Sequence, residues 1–205
     1  MKKRVSRNKD LHGNVPESAP VVLLIVDVLN DLNFPDNSAL LKGASTLAKN
    51  IATLKKRCKG ADIPTIYVND NYGKWRSDLI AVLQHCLRPE SAGLPLVERL
   101  LPAADDYVVL KPKHSIFYAT PLDTLLSYFL VKTVILAGLT TSACILSSAA
   151  EIFIRDLKLF VPSDCVAGLH QRDHRQALEL MRKSFHADTA PSRTLDLHAL
   201  RRASA

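Results

Sequence analysis

The stretch VVLLIVD, residues 21–27, is an unbroken apolar run, mostly β-branched, closed by the acid Asp27. A run of that length bounded by Pro20 and an aspartate reads as a strand buried on both faces, the kind found in parallel sheets. Working outward, Leu41, Ala44, Leu47, Ala48, Ile51 and Leu54 recur at helical spacing, and Gly60 stops that helix. The alternation then continues: strands over 64–68, 107–110, 133–137 and 158–161, and helices over 77–87, 122–130, 142–155 and 173–185. A last short strand at 187–189 is expected to complete the sheet. Apolar strands separated by amphipathic helices predict one three-layer α/β sandwich over residues 21–205, with a mainly parallel five- or six-stranded, Rossmann-like sheet covered by helices on both faces.

Composition narrows the function. The 205 residues are 47% hydrophobic and 23% charged, the balance of a folded globular chain. Much of the net charge of +7 sits in Lys2, Lys3, Arg4, Arg7 and Lys9, within a basic leader over 1–20 that is expected to be flexible. Elsewhere no aromatic and basic residues interleave as they do in base-stacking proteins, so no nucleic-acid partner is expected. The apolar runs are far shorter than the roughly 20 residues of a membrane span, and no apolar segment follows the basic start. A cytoplasmic chain without a membrane partner is the expectation. Cys58, Cys86, Cys144 and Cys165 are widely separated without CxxC spacing, which argues against a disulfide framework or a cysteine zinc site.

In an open parallel sheet, ligands bind beyond the carboxyl ends of the strands. The first strand delivers Asp27 there. The strand at 107–110 delivers Lys111, and the strand at 133–137 runs through residues 138–141 into a helix whose first turn carries Cys144. A carboxylate, an amine and a thiol thus meet at one edge of the sheet. Taken singly each has a plainer reading: Asp27 as a turn residue, Lys111 as a solvated charge or the partner of Asp27 in a structural ion pair, Cys144 as core packing. Together they suit nucleophilic catalysis. A helix N-terminus and a nearby ammonium favour thiolate at Cys144. Asp27 could take the thiol proton and return it to a leaving group, with N–H groups of the turn at 138–144 holding an oxyanion. Phe34, Trp75 and Tyr118 are candidate pocket walls, Asn69 a polar substrate contact, and His114 a hydrogen-bonding or wall residue. His170 and His174 stand four apart, but a helix starting near Asp173 would keep them off a common face, so no metal pair is expected.

These blocks resemble a known family. VVLLIVDVLNDLNF (21–34), VVLKPKHSIF (108–117), AGLTTSACI (137–145) and VPSDCVAG (161–168) are similar, in order and spacing, to the isochorismatase-like cysteine hydrolases. That family includes nicotinamidases, N-carbamoylsarcosine amidase-like enzymes and isochorismatase. The resemblance implies the family's hydrolase fold, with Asp27 as acid–base, Lys111 as electrostatic partner and Cys144 as nucleophile, cleaving C–N bonds of small amides through a thioester. It further implies a cis peptide between Leu139 and Thr140, an oxyanion hole from the backbone N–H groups of Thr140 and Cys144, and assembly into dimers or tetramers. Three positions depart from the pattern. Leu29 stands where the family often has glutamine. Tyr72 stands where nicotinamidases have a metal-binding histidine, so no metal and no cofactor are expected. Cys144 is present, whereas isochorismatase lacks that cysteine. The alternatives are hydrolysis of a non-amide bond and a catalytically silent binding or assembly protein.

Overall fold

The computed structural model describes residues 18–204, so most of the leader expected over 1–20 lies outside the described residues. Six strands form one parallel sheet: β1 (Val21–Val26), β2 (Thr65–Asp70), β3 (Tyr107–Lys111), β4 (Thr133–Leu139), β5 (Lys158–Phe160) and β6 (Val166–Ala167). The order is β3-β2-β1-β4-β5, and β6 pairs with the far end of β4. Alternate residues of β1 feed two cores. Leu23 and Ile25 pack with the helices α1 (Ser38–Gly60), α2 (Leu79–Cys86) and α3 (Leu94–Arg99). Val22, Leu24 and Val26 face α4 (Leu122–Phe129), α5 (Leu146–Ile154) and α6 (Gln171–Ser184). A C-terminal helix, α7 (Leu197–Ser204), closes the first face through Leu197.

The three-layer α/β sandwich is therefore as the strand pattern predicts. Four details differ. The helix expected over 142–155 opens with a single wide π turn, Thr141–Ile145, before α5 begins. The strand expected at 187–189 is reduced to one bridge between Phe160 and Asp188. The sheet is instead extended by β6, too short for an alternation to show. Helices α3 and α7 went unpredicted, because neither spans much more than two turns and α3 opens on Pro95.

Chain connectivity sets the site. From β1 the chain runs outward through β2 to β3, then returns to the other side of β1 for β4 and β5. The reversal leaves a crevice between the carboxyl ends of β1 and β4, where α/β sheets take their ligands. Val26 pairs with Gly138 across it. Gly138 has φ of 121°, and a Cβ there would lie 2.0 Å from the Val26 carbonyl oxygen, so only glycine lets the two strands meet at this level.

Candidate active site

Asp27 leaves β1 in the left-handed region, with φ of 52°. Aspartate tolerates that conformation better than most residues, and it turns the carboxylate across the crevice instead of along the strand. One oxygen, Oδ1, accepts the Asp70 N–H at 2.7 Å; the other, Oδ2, meets Lys111 Nζ at 2.8 Å. Lys111 ends β3, two strands away, and is fully buried. Its Nζ also donates to the Lys113 carbonyl at 3.1 Å and to Cys144 Sγ at 3.5 Å, and lies 3.9 Å from Asp70 Oδ2. Cys144 arrives from the opposite side, on the π turn after β4. The three residues named from the sequence thus meet as a carboxylate–ammonium–thiol triad.

Burial pushes the Cys144 thiol up to about 12, and the neighbouring Asp27 carboxylate pushes the same way against the pull of Lys111. The pull toward thiolate expected from a helix N-terminus and Lys111 is thus opposed by burial and by the facing carboxylate. Cys144 is the fourth residue of a wide turn, 9% exposed, and faces a carboxylate at close range. Burial likewise raises the Asp27 carboxyl above its ordinary value, opposed by Lys111, the Cys144 thiol and the Asp70 N–H. Burial acts against the Lys111 charge, yet Asp27, Cys144 and Asp70 outweigh it and the ammonium is held. The Asp27–Lys111 ion pair thus lies directly beside the Cys144 thiol.

The remaining candidates divide. His114 Nδ1 lies 3.5 Å from Cys144 Sγ, at the exposed mouth. Trp75 and Tyr118 are exposed, at 78% and 58%, and Phe34 packs half-buried against the α1 face of the core. Asn69 does not present its amide to a ligand. It is buried, with Oδ1 accepting the Leu29 N–H at 2.9 Å and Nδ2 donating to the Leu29 and Asp70 carbonyls at 3.0 and 3.2 Å. It ties the segment after Asp27 to the end of β2. The peptide between Leu139 and Thr140 is cis, and the Thr140 carbonyl accepts the Ala143 and Ile145 N–H groups at 3.1 and 3.2 Å. The first N–H groups of such a turn lack intrahelical partners.

Two supporting residues escaped sequence reasoning. Ser148 Oγ donates to the Cys144 carbonyl at 2.5 Å and accepts the Ile116 N–H at 3.3 Å, tying the turn that carries Cys144 to the segment after Lys111. Its signal was the spacing of four from Cys144, at which a serine bonds back along a helix. The second is His174, which bonds Thr141. At the nicotinamidase metal position, Tyr72 directs its hydroxyl to the Leu29 carbonyl at 3.2 Å. Among the described residues, no group of three or more His, Cys, Asp or Glu side chains is gathered to hold a metal ion. No helix among them is long and apolar enough to cross a membrane.

A parallel sheet with a buried Asp–Lys pair facing a cysteine at its switch point defines a cysteine hydrolase. Residues 21–190 match the model of the isochorismatase domain, and the chain belongs to the isochorismatase-like cysteine hydrolase family. It is 33% identical to the uncharacterized isochorismatase family protein YaaI of Bacillus subtilis over 170 residues, 83% of this chain and 93% of that protein. Against the isochorismatase of B. subtilis it is 32% identical over 172 residues, covering 80% of this chain but only 54% of that one. Among solved structures, N-carbamoylsarcosine amidase from Thermoplasma acidophilum aligns with a TM-score of 0.67 at 23% identity, over 86% of this chain and 98% of that one. At that identity the likeness is one of fold.

Proposed function

We propose that this protein is a metal-independent amidase of small molecules, working through Asp27, Lys111 and Cys144. The observation that carries the reading is the contact chain itself: Cys144 Sγ at 3.5 Å from Lys111 Nζ, and Lys111 Nζ at 2.8 Å from Asp27 Oδ2. Asp27 removes the thiol proton as Sγ attacks the amide carbon. The oxyanion that forms is held by N–H groups of the nucleophile turn, those of Thr140 and Cys144 in this reading. The C–N bond breaks, the departing nitrogen takes the proton from Asp27, and a thioester remains on Cys144. Water, its proton accepted by Asp27, then attacks the thioester, releasing the acid and restoring the thiol. Lys111 keeps Asp27 ionised as the base and balances charge as sulfur turns to thiolate, the service a metal provides elsewhere. His114, at the mouth, would contact the substrate, with Trp75 and Tyr118 as outer walls.

A panel of small primary and N-carbamoyl amides, assayed for ammonia, tests the reading. The wild-type protein should release ammonia from at least one, and Cys144→Ala should release none. Equal release by both proteins would defeat the mechanism. The likeness to an isochorismatase favours a second reading, hydrolysis of a non-amide bond without a thioester. Activity of Cys144→Ala on a vinyl ether would select it.

A further inference from the structure

We infer that His174 is a positioning residue for the nucleophile turn, acting through Thr141; the inference rests on the role proposed for Cys144. Thr141 is the first residue of the π turn and is fully buried. Its hydroxyl is matched by His174 Nδ1 at 2.8 Å, the side chain reaching in from the first turn of α6. A buried hydroxyl without a partner is costly, and valine would fill the same space without needing one. The threonine therefore has a use that packing alone does not explain: it locks the start of the turn to a second helix. Ser148 locks the Cys144 carbonyl on the other side. Between these two ties, Cys144 Sγ is held against Lys111 and Asp27.

The surroundings of His174 are fixed as well. Its own N–H donates to the His170 carbonyl at 3.0 Å. Gly168 lies so close that a methyl there would come within 3.3 Å of His174 Cβ. Burial holds the imidazole below its ordinary pKa. A displaced reacting atom can cost as much as about a hundredfold in rate even when the change is remote from the chemistry. Loss of this tie should therefore slow acyl transfer while leaving binding alone.

The probe is p-nitrophenyl acetate, which transfers its acetyl group to a reactive thiol and releases nitrophenol. Wild-type protein should give a burst of one equivalent, with the acetyl group on the Cys144 peptide. His174→Ala and Thr141→Val should each slow that burst about ten- to a hundredfold at unchanged amplitude, with the concentration for half-maximal rate within about twofold of wild type. His174→Asn, which keeps a polar atom near the Nδ1 position, should recover to within about threefold. The double variant should be no slower than either single one, as for two halves of one contact. Should His174→Ala fail to fold, the nearly isosteric Thr141→Val carries the test. Wild-type burst rates in the folded single variants, or independent additive losses in the double one, would overturn the inference. A wild-type protein giving no adduct on Cys144 would instead remove the amidase reading, and this inference with it.

Discussion

Strand β3 carries a lysine–aspartate pair at each end, and the two behave differently. At its amino end Asp106 pairs with Lys55 of α1. There Asp106 Oδ2 also accepts the Ala103 N–H at 2.6 Å, and Lys55 donates to the Tyr67 hydroxyl at 3.0 Å. Each charge is matched by groups that have no chemistry to perform, and the pair pins α1 across the sheet edge. At the carboxyl end Lys111 pairs with Asp27, deeper still, but a thiol and a histidine stand beside it at the crevice. A buried ion pair by itself is weak evidence of either stability or function. What makes the second pair a catalytic device is the third group that can exchange a proton with it, at the strand end where the sheet reverses order.

The comparison can be broken most sharply at Asp27. Asp27→Asn should lower ammonia release by about 10³–10⁴-fold, since the proton carrier is gone. The thiol should respond in the opposite sense. Asp27 raises the Cys144 pKa and Lys111 lowers it, so without the carboxylate the thiolate should appear at a lower pH than in the wild-type protein. Ultraviolet absorbance of the thiolate follows that change, and a midpoint moving upward would contradict the assignment. Lys111→Met should reduce turnover by about 10²–10³-fold and shift the thiol midpoint up, with the fold retained because Asp27 can protonate. The corresponding change at the other end, Lys55→Met, should leave turnover within about twofold. It should cost about 1–3 kcal/mol in denaturant unfolding, because it leaves Asp106 largely buried without its partner. Turnover falling as steeply there as at Lys111 would erase the distinction between the two ends. The smallest effect belongs to Ser148→Ala, which should slow turnover about threefold to tenfold and cost about 1 kcal/mol of stability through the lost bond to Cys144.

The carboxyl-end pair was legible in the sequence and the amino-end pair was not. A strand covered on both faces shows as an unbroken apolar run, so the polar residue that ends it stands out, as Asp27 and Lys111 do. Lys55 is one of several cations towards the end of α1, and nothing in its spacing points to Asp106 far along the chain. The same limit applied inside the site. Asn69 looks like a ligand contact until its amide is found bonded to Leu29, and His174, weighed only as half of a metal pair with His170, shows its contact with Thr141 only once α6 is in place. The opposing influences on the Cys144 thiol were hidden for a related reason. A helix N-terminus is a local feature and can be read from sequence, whereas burial and a facing carboxylate arise only once β1 and β4 are side by side.

The most direct measurement is the mass of the intact protein quenched during turnover of an amide substrate, followed by peptide mapping. The mechanism requires a fraction of the chains to carry the acyl group, on the peptide containing Cys144 and cleavable by hydroxylamine as a thioester. That fraction should vanish in Cys144→Ala together with the release of ammonia. Turnover proceeding with no adduct on any wild-type chain, and continuing undiminished in Cys144→Ala, would contradict the central claim.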